Sequence, residues 1–247
     1  CRAVRERVGV LDLSSFSKYD VTGPDAEAFL NRVCANRMPR RVGGIVLAHY
    51  PSEAGRIGGE STITRLADDR FFVLSGAAAE DRDLDLLQHS LRPGERVKIA
   101  NVTEDWGTLV LAGPKSRDVL GALTKADLSN AAFRWLTGKE IEVAGIKLRA
   151  LRVNYVGELG WELHCPMKRL ADLYRAVWDS GQAHGIADFG TYAVNSLRME
   201  KAYKVSADMT NECSPFEAGL MSFITPEKDG FVGREALLAT MEAPRWK

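Results

Sequence analysis

The chain has 247 residues, 45% hydrophobic and 27% charged, the balance of an ordinary globular protein long enough to bury a large core. Its 33 basic residues are matched by 33 acidic ones, so it lacks the electrostatic footprint of a nucleic-acid or anionic-membrane partner. No apolar run approaches the ~20 residues of a membrane span. Cys1, Cys34, Cys165 and Cys213 are scattered without CxxC spacing and read as free thiols of a reducing compartment rather than a disulfide framework.

The sequence opens on Cys1 and closes on Pro244-Arg245-Trp246-Lys247, which reads as a segment of a longer polypeptide or a processed chain. Asp20-Val21-Thr22-Gly23-Pro24 leads into Asp25-Ala26-Glu27-Ala28-Phe29-Leu30 and reads as strand, Gly-Pro and helix, with the proline just inside the helix start, where its missing N–H has no partner to lose. A hairpin follows, Glu60 to Leu66 against Phe71 to Ser75 across Ala67-Asp68-Asp69-Arg70, and then a helix from Glu80 to Leu91. The same order returns 90 residues on, where Leu109-Val110-Leu111-Ala112-Gly113-Pro114 leads into Lys115-Ser116-Arg117-Asp118-Val119-Leu120. A strand from Leu148 to Tyr155 then turns over Gly157 into a second strand, Trp161 to His164, and Arg169 to Trp178 forms the next helix.

That repetition predicts one α+β domain over 1–247 built from two similar halves, about 1–100 and 101–247. Hairpins outnumber crossovers, which favours antiparallel sheets covered by helices over a doubly wound parallel sheet. Ala187 to Glu200 predicts a helix carrying Arg198, Pro215 to Leu220 and Pro226 to Gly230 are loop and turn, and Arg234 to Met241 is a last helix.

Redox and nucleotide fingerprints are missing: Gly55-Arg56-Ile57-Gly58-Gly59-Glu60 has the glycines of a phosphate loop but enters a strand instead of a helix. His49, His89, His164 and His184 are far from one another in sequence and read as surface or packing residues, with no metal site expected. The stretch that stands out is Tyr155-Val156-Gly157-Glu158-Leu159-Gly160-Trp161-Glu162-Leu163, an aromatic and two carboxylates on a glycine-hinged hairpin. Turn geometry and solvated acids would account for the glycines and for Glu158. Tyr155 and Glu162, placed across a tight turn, would flank one ligand. An ionised glutamate is an acceptor only, so that ligand is a flat heteroaromatic with ring N–H donors, such as a pterin.

With these elements placed, and Ser196-Leu197-Arg198-Met199-Glu200-Lys201 on its helix, the whole chain resembles the folate-binding (GcvT-like) aminomethyltransferase family. That family includes the T-protein of the glycine cleavage system and the C-terminal half of dimethylglycine and sarcosine dehydrogenases. The flavoprotein branch is the nearer match, on Val8-Gly9-Val10-Leu11-Asp12-Leu13-Ser14, the Tyr155 to Leu163 run, Phe189-Gly190-Thr191-Tyr192-Ala193 and Pro215-Phe216-Glu217-Ala218-Gly219-Leu220. The resemblance implies a duplicated α+β folate-binding fold lacking its C-terminal β-barrel. It implies tetrahydrofolate as cofactor, FAD only where an N-terminal flavin domain or subunit accompanies the chain, and a place in the cytoplasm or mitochondrial matrix.

The implied reaction moves a one-carbon unit from a methylated amine such as dimethylglycine or sarcosine to tetrahydrofolate, giving 5,10-methylene-tetrahydrofolate. A T-protein-like aminomethyltransferase, a folate-dependent demethylase and a non-catalytic folate-binding module are the alternatives. By the same resemblance Glu60 is the catalytic carboxylate, moving protons as the one-carbon unit is accepted. Tyr50 lines the folate, Tyr155 flanks the pterin ring, Glu162 holds its N–H edge, and Arg198 meets an anionic or carbonyl part of the ligand. Two departures are visible: Lys204-Val205-Ser206-Ala207-Asp208-Met209 has neither the aromatic nor the glycine usual there, and glutamate at position 60 adds a methylene of reach over aspartate.

Overall fold

A computed structural model of the protein describes residues 1–245. In chain order, helix α1 (Arg2–Glu6) leads into strands β1 (Gly9–Asp12) and β2 (Ser17–Thr22), then helix α2 (Ala26–Val33). Strands β3 (Ile45–Pro51), β4 (Ile57–Ala67) and β5 (Arg70–Ser75) follow, with helix α3 (Glu80–His89) and strand β6 (Lys98–Asn101). The chain continues through β7 (Trp106–Ala112), α4 (Ser116–Gly121), β8 (Gly138–Val143), β9 (Ile146–Leu151) and β10 (Gly160–Pro166). Helix α5 (Leu170–Gly181), the two-residue strand β11 (Ala187–Asp188), α6 (Thr191–Met199) and α7 (Arg234–Glu242) complete it.

Two compact units divide these elements. The first contains Cys1–Ser15 and Thr103–Tyr203, and the second Phe16–Val102 and Lys204–Lys247. The repeat predicts halves that meet near residue 100, and each unit also takes a terminal segment from the other half of the chain.

The first unit holds a six-stranded sheet in the order β11-β1-β7-β10-β9-β8, and the second a five-stranded sheet in the order β3-β4-β5-β2-β6. Every pairing is antiparallel except β1 with β11. Reading both orders from the same end gives β8-β9-β10-β7 against β3-β4-β5-β2, so the duplication survives in topology. The position beside the Gly-Pro strand is filled differently: β6 closes the second unit from within its own half, whereas β1, from the start of the chain, closes the first.

The Gly-Pro turns are equivalent in detail. Gly23 and Gly113 have φ of 127° and 130°, a region open to glycine and costly for other residues. Each donates its N–H to its unit's hairpin connection, Gly23 to Asp69 O and Gly113 to Leu159 O, and each accepts from the residue three on, Ala26 and Ser116. The prolines therefore sit in the turn two residues before the helix, not inside its first turn, because a β-turn needs the fixed φ of proline at its second position.

In the first unit, Val119, Leu120, Leu173 and Val177 of α4 and α5 pack on Leu109, Leu111, Trp161 and Leu163 of one sheet face. Leu197 of α6 and Val4 of α1 pack with Val110 and Ala112 on the other. In the second unit, Phe29 and Leu30 of α2 and Leu87 of α3 cover Tyr19, Val21, Ile63, Phe71 and Val73. Each valine, leucine, isoleucine or phenylalanine among them, fully buried, contributes about 1.5–3 kcal/mol, and strand alternation decides which residues are left for the opposite face.

Two expected elements differ. The predicted helix from Ala187 begins as β11, pairing with Gly9 and Val10, and the helix starts only at Thr191 after Gly190 in extended backbone. The tight turn expected between Tyr155 and Trp161 is an eight-residue connection from 152 to 159, while its counterpart in the second unit is the short link between Ala67 and Arg70. Asn154 explains the difference: its Oδ1 accepts from Val156 N–H and its Nδ2 donates to Glu158 O, closing a local turn that competes with ladder pairing.

Candidate functional site

Because side chains alternate along a strand, the apolar positions of β10, Trp161, Leu163 and Cys165, enter the helix-covered core and put Glu162 and His164 together on the other face. Opposite them on β7 the register partners are Val110 and Thr108. Glu162 keeps 14% side-chain exposure, while His164 is buried at 1%. Glu162 Oε2 lies 3.2 Å from His164 Nε2, and His164 Nδ1 lies 2.9 Å from Thr108 Oγ1. On β9, Arg149 pairs with His164 and stacks its guanidinium 4.0 Å from the centre of the Trp106 ring.

Tyr155 is half-buried within the connection instead of on the strand, with its ring 5.5 Å from that of Tyr203. Arg198 is buried at 8% and bridges its own helix end: Nε donates to Asn195 Oδ1 at 2.9 Å and Nη1 to Tyr203 O at 2.8 Å. It thus fixes the segment that carries Tyr203 against Tyr155. Glu158, expected in solvent, accepts from Arg5 Nη1 at 2.9 Å, and the same guanidinium donates to Val156 O, Leu197 O and Glu200.

The second unit carries the other two candidates. Glu60 stands on the half-exposed face of β4, its side chain 29% exposed, paired in register with His49 of β3. Burial, with the charge of Asp83 added to it, pushes the Glu60 carboxyl up to about 7. His49 is fully buried with Nδ1 4.0 Å from Glu60 Oε2, and burial pushes it down to about 4 with partial relief from the Gly59 backbone. Such a carboxyl is poised to give or take a proton near neutrality beside an uncharged imidazole. Tyr50 points the other way, into the helix-covered core, 1% exposed with its hydroxyl donating to Ser61 Oγ at 2.8 Å.

Both buried histidines stand beside a glutamate, His164 beside Glu162 and His49 beside Glu60. For His164 the signal was present, because a period-two strand puts residues 162 and 164 side by side. For His49 it was not, because β3 carries no alternation or turn signature strong enough to reveal its pairing. The four cysteines are free, and burial pushes the thiols of Cys34 and Cys165 up to about 12 and about 11. Among the described residues no group of three His, Cys, Asp or Glu could hold a metal ion, and no helix is long and apolar enough to cross a membrane. A depression of about 550 Å³ at Arg32, Glu53, Arg92 and Arg234 includes none of the candidate residues; it is lined by paired or solvated charges and offers no aromatic wall for a ring other than Phe231.

Residues 1–228 match the family described as the GCVT N-terminal domain. The mitochondrial dimethylglycine dehydrogenase of Mus musculus is 39% identical over 239 residues, covering 96% of this chain and 27% of that protein. The mitochondrial sarcosine dehydrogenase of Homo sapiens is 34% identical over 254 residues, covering 96% and 28%. The chain therefore spans less than a third of the length of these curated relatives. Among solved structures, the glycine cleavage system aminomethyltransferase T from Bartonella henselae is similar with a TM-score of 0.86 at 24% identity, covering 98% of this chain and 65% of that one, a likeness of fold.

Proposed function

Because the chain belongs to the GCVT N-terminal domain family, we propose that it binds tetrahydrofolate and serves the transfer of a one-carbon unit from a methylated amine such as dimethylglycine or sarcosine. The observation that carries this is Glu162, a strand-borne carboxylate held at one oxygen by a buried histidine and still 14% exposed, an acceptor aimed by its neighbours instead of one waving in solvent. A carboxylate so held suits the ring N–H and amino donors of a pterin. Tyr155 flanks that ring, and Arg198 supports it through Tyr203 as well as presenting charge toward a carbonyl or anionic part of the ligand.

Tetrahydrofolate supplies the nitrogen nucleophiles that accept the one-carbon unit. On the protein's side, Glu60 supplies the proton-handling group, with a carboxyl that is close to half-protonated at neutral pH. Tyr50 acts beneath it, its hydrogen bond to Ser61 stiffening the strand that bears Glu60. Oxidation of the amine would belong to a flavin-bearing domain or subunit, as the family resemblance implies. A T-protein-like transfer stays the second reading, supported by the fold likeness to the aminomethyltransferase T.

Tetrahydrofolate affinity measured by calorimetry decides the binding part: Glu162→Ala and Arg198→Ala are each expected to weaken it at least tenfold, about the value of a hydrogen bond to a charged group. Unchanged affinity in both removes the assignment. Mixing the protein with tetrahydrofolate and formaldehyde and following 5,10-methylene-tetrahydrofolate then tests the chemistry. Glu60→Gln at the parent rate would show that Glu60 is not the acid/base group.

A further inference from the structure

The Thr108–His164–Glu162 chain contains more order than recognition by a lone carboxylate needs. An ionised Glu162 can only accept, so a bond between its Oε2 and His164 Nε2 requires the proton to be on Nε2. A neutral imidazole protonated there presents a bare lone pair at Nδ1. At Nδ1 the structure provides Thr108 Oγ1 at 2.9 Å, and a hydroxyl is a side chain that can donate to that lone pair. The opposite tautomer would turn the Nε2 lone pair toward an anion. With His164 1% exposed, water is not at hand to relieve that clash.

We propose that His164 is a positioning residue for Glu162: the carboxylate selects the Nε2–H tautomer, the Thr108 hydroxyl donates to the Nδ1 lone pair that this tautomer leaves, and Nε2–H pins one carboxylate oxygen so that the other is presented to the pterin edge. The inference rests on Glu162 as the pterin acceptor and adds the two residues that aim it. Thr108 is itself held, its N–H accepted by Ser14 Oγ at 2.9 Å, so the relay is anchored on β7. Arg149 pairs with His164 from β9, its guanidinium stacked on the Trp106 ring, and borders the relay on the same strand face.

The test starts with the unaltered protein, whose ¹⁵N imidazole spectrum at neutral pH is expected to show His164 with a proton on Nε2 and an unprotonated Nδ1. An Nδ1–H signal overturns the proposal whatever any variant does. Tetrahydrofolate affinity is then compared across variants whose folding is checked by thermal melting. His164→Leu is expected to weaken binding roughly tenfold, and His164→Gln, whose amide nitrogen reaches the Nε2 position, to recover most of it. Thr108→Val, nearly equal in shape, is expected to shift the ¹⁵N resonance of Nδ1 as its lone pair loses the hydroxyl, with the proton still on Nε2, and to weaken binding severalfold. If Glu162→Ala weakens binding while His164→Leu and Thr108→Val bind as the parent does, positioning by His164 is wrong and the pterin reading stands. If Glu162→Ala itself leaves affinity unchanged, the pterin reading fails and takes the proposal with it.

Discussion

His49 Nδ1 lies 4.0 Å from Glu60 Oε2 across paired positions of β3 and β4, and both groups are shifted toward their uncharged forms. Glu60 ionises at about 7 in the folded protein against an ordinary 4.5, because burial and the Asp83 charge disfavour its anion. A raised carboxyl contributes stability that is complete below pH 4.5 and is lost as pH rises through about 7. Removing the charge is therefore worth more at high pH. Glu60→Gln is expected to gain on the order of 1 kcal/mol relative to the parent between pH 5 and pH 8, the modest size reflecting water at a side chain that is 29% exposed. Urea unfolding at the two pH values measures it, and a difference independent of pH would contradict the shifted carboxyl.

His49 gives the mirror prediction. Its folded value of about 4 lies below the ordinary 6.5, so its contribution is complete above pH 6.5 and disappears as pH falls toward 4. His49→Gln should lose stability relative to the parent at pH 7, where a close-packed ring is lost, and recover part of that loss by pH 5. The edge contact of the His49 ring with Phe223, centroids 6.2 Å apart, sets the packing share of the loss. A Glu60 limb near pH 7 in one-carbon condensation should survive in His49→Gln and vanish in Glu60→Gln.

Much of this fold was legible because its signals are local. Proline after glycine, the four-residue link from Ala67 to Arg70 and the strand from Glu60 to Leu66 that it joins to Phe71 to Ser75 each announce themselves within a few residues, and the 90-residue echo follows from them. What stayed hidden depends on distant pairing. β1 joins β7 and β11 across most of the chain, so nothing around Gly9 indicates that it completes the first unit's sheet. At the candidate site, Glu162 could be named from its strand. The eight-residue connection that removes Tyr155 from that strand could not, because it is set by Asn154 side-chain bonds and by Arg5, nearly the whole unit away in sequence.

Gly23 and Gly113 should be the least replaceable glycines of the two Gly-Pro turns. A Cβ on Gly23 would lie 2.1 Å from Arg96 O, and one on Gly113 would lie 2.6 Å from Arg7 O and 2.8 Å from Val4 O, all backbone atoms that cannot swing aside. Strained φ adds to the clash. Each alanine variant is expected to cost at least about 3 kcal/mol, with Gly23→Ala the worse of the two. Denaturant titration checks the order, and a cost below about 1 kcal/mol at either site would mean that the turn relaxes in a way its hydrogen bonds do not suggest.

Arg5 should govern the Tyr155 connection. Its side chain is 20% exposed and donates to two carbonyls and two carboxylates: Val156 O at 2.6 Å, Leu197 O at 2.9 Å, Glu158 at 2.9 Å and Glu200 at 2.8 Å. The carbonyl of Val156 belongs to the connection and that of Leu197 to α6, so one planar fork joins the loop bearing Tyr155 to the helix bearing Arg198. Arg5→Met keeps the stem's apolar packing and leaves those acceptors unmet, at an expected cost of about 2 kcal/mol. Arg5→Lys restores charge but not the fork, and should recover less than half of it. Amide exchange provides the local readout: residues 152–159 and the last turn of α6 should lose protection together in Arg5→Met, while β10 and α5, which pack through Trp161, Leu163, Leu173 and Val177, keep theirs. Full recovery by lysine, or loss of protection spread evenly over the unit, would show that Arg5 acts through net charge or global stability instead of through the joint it makes.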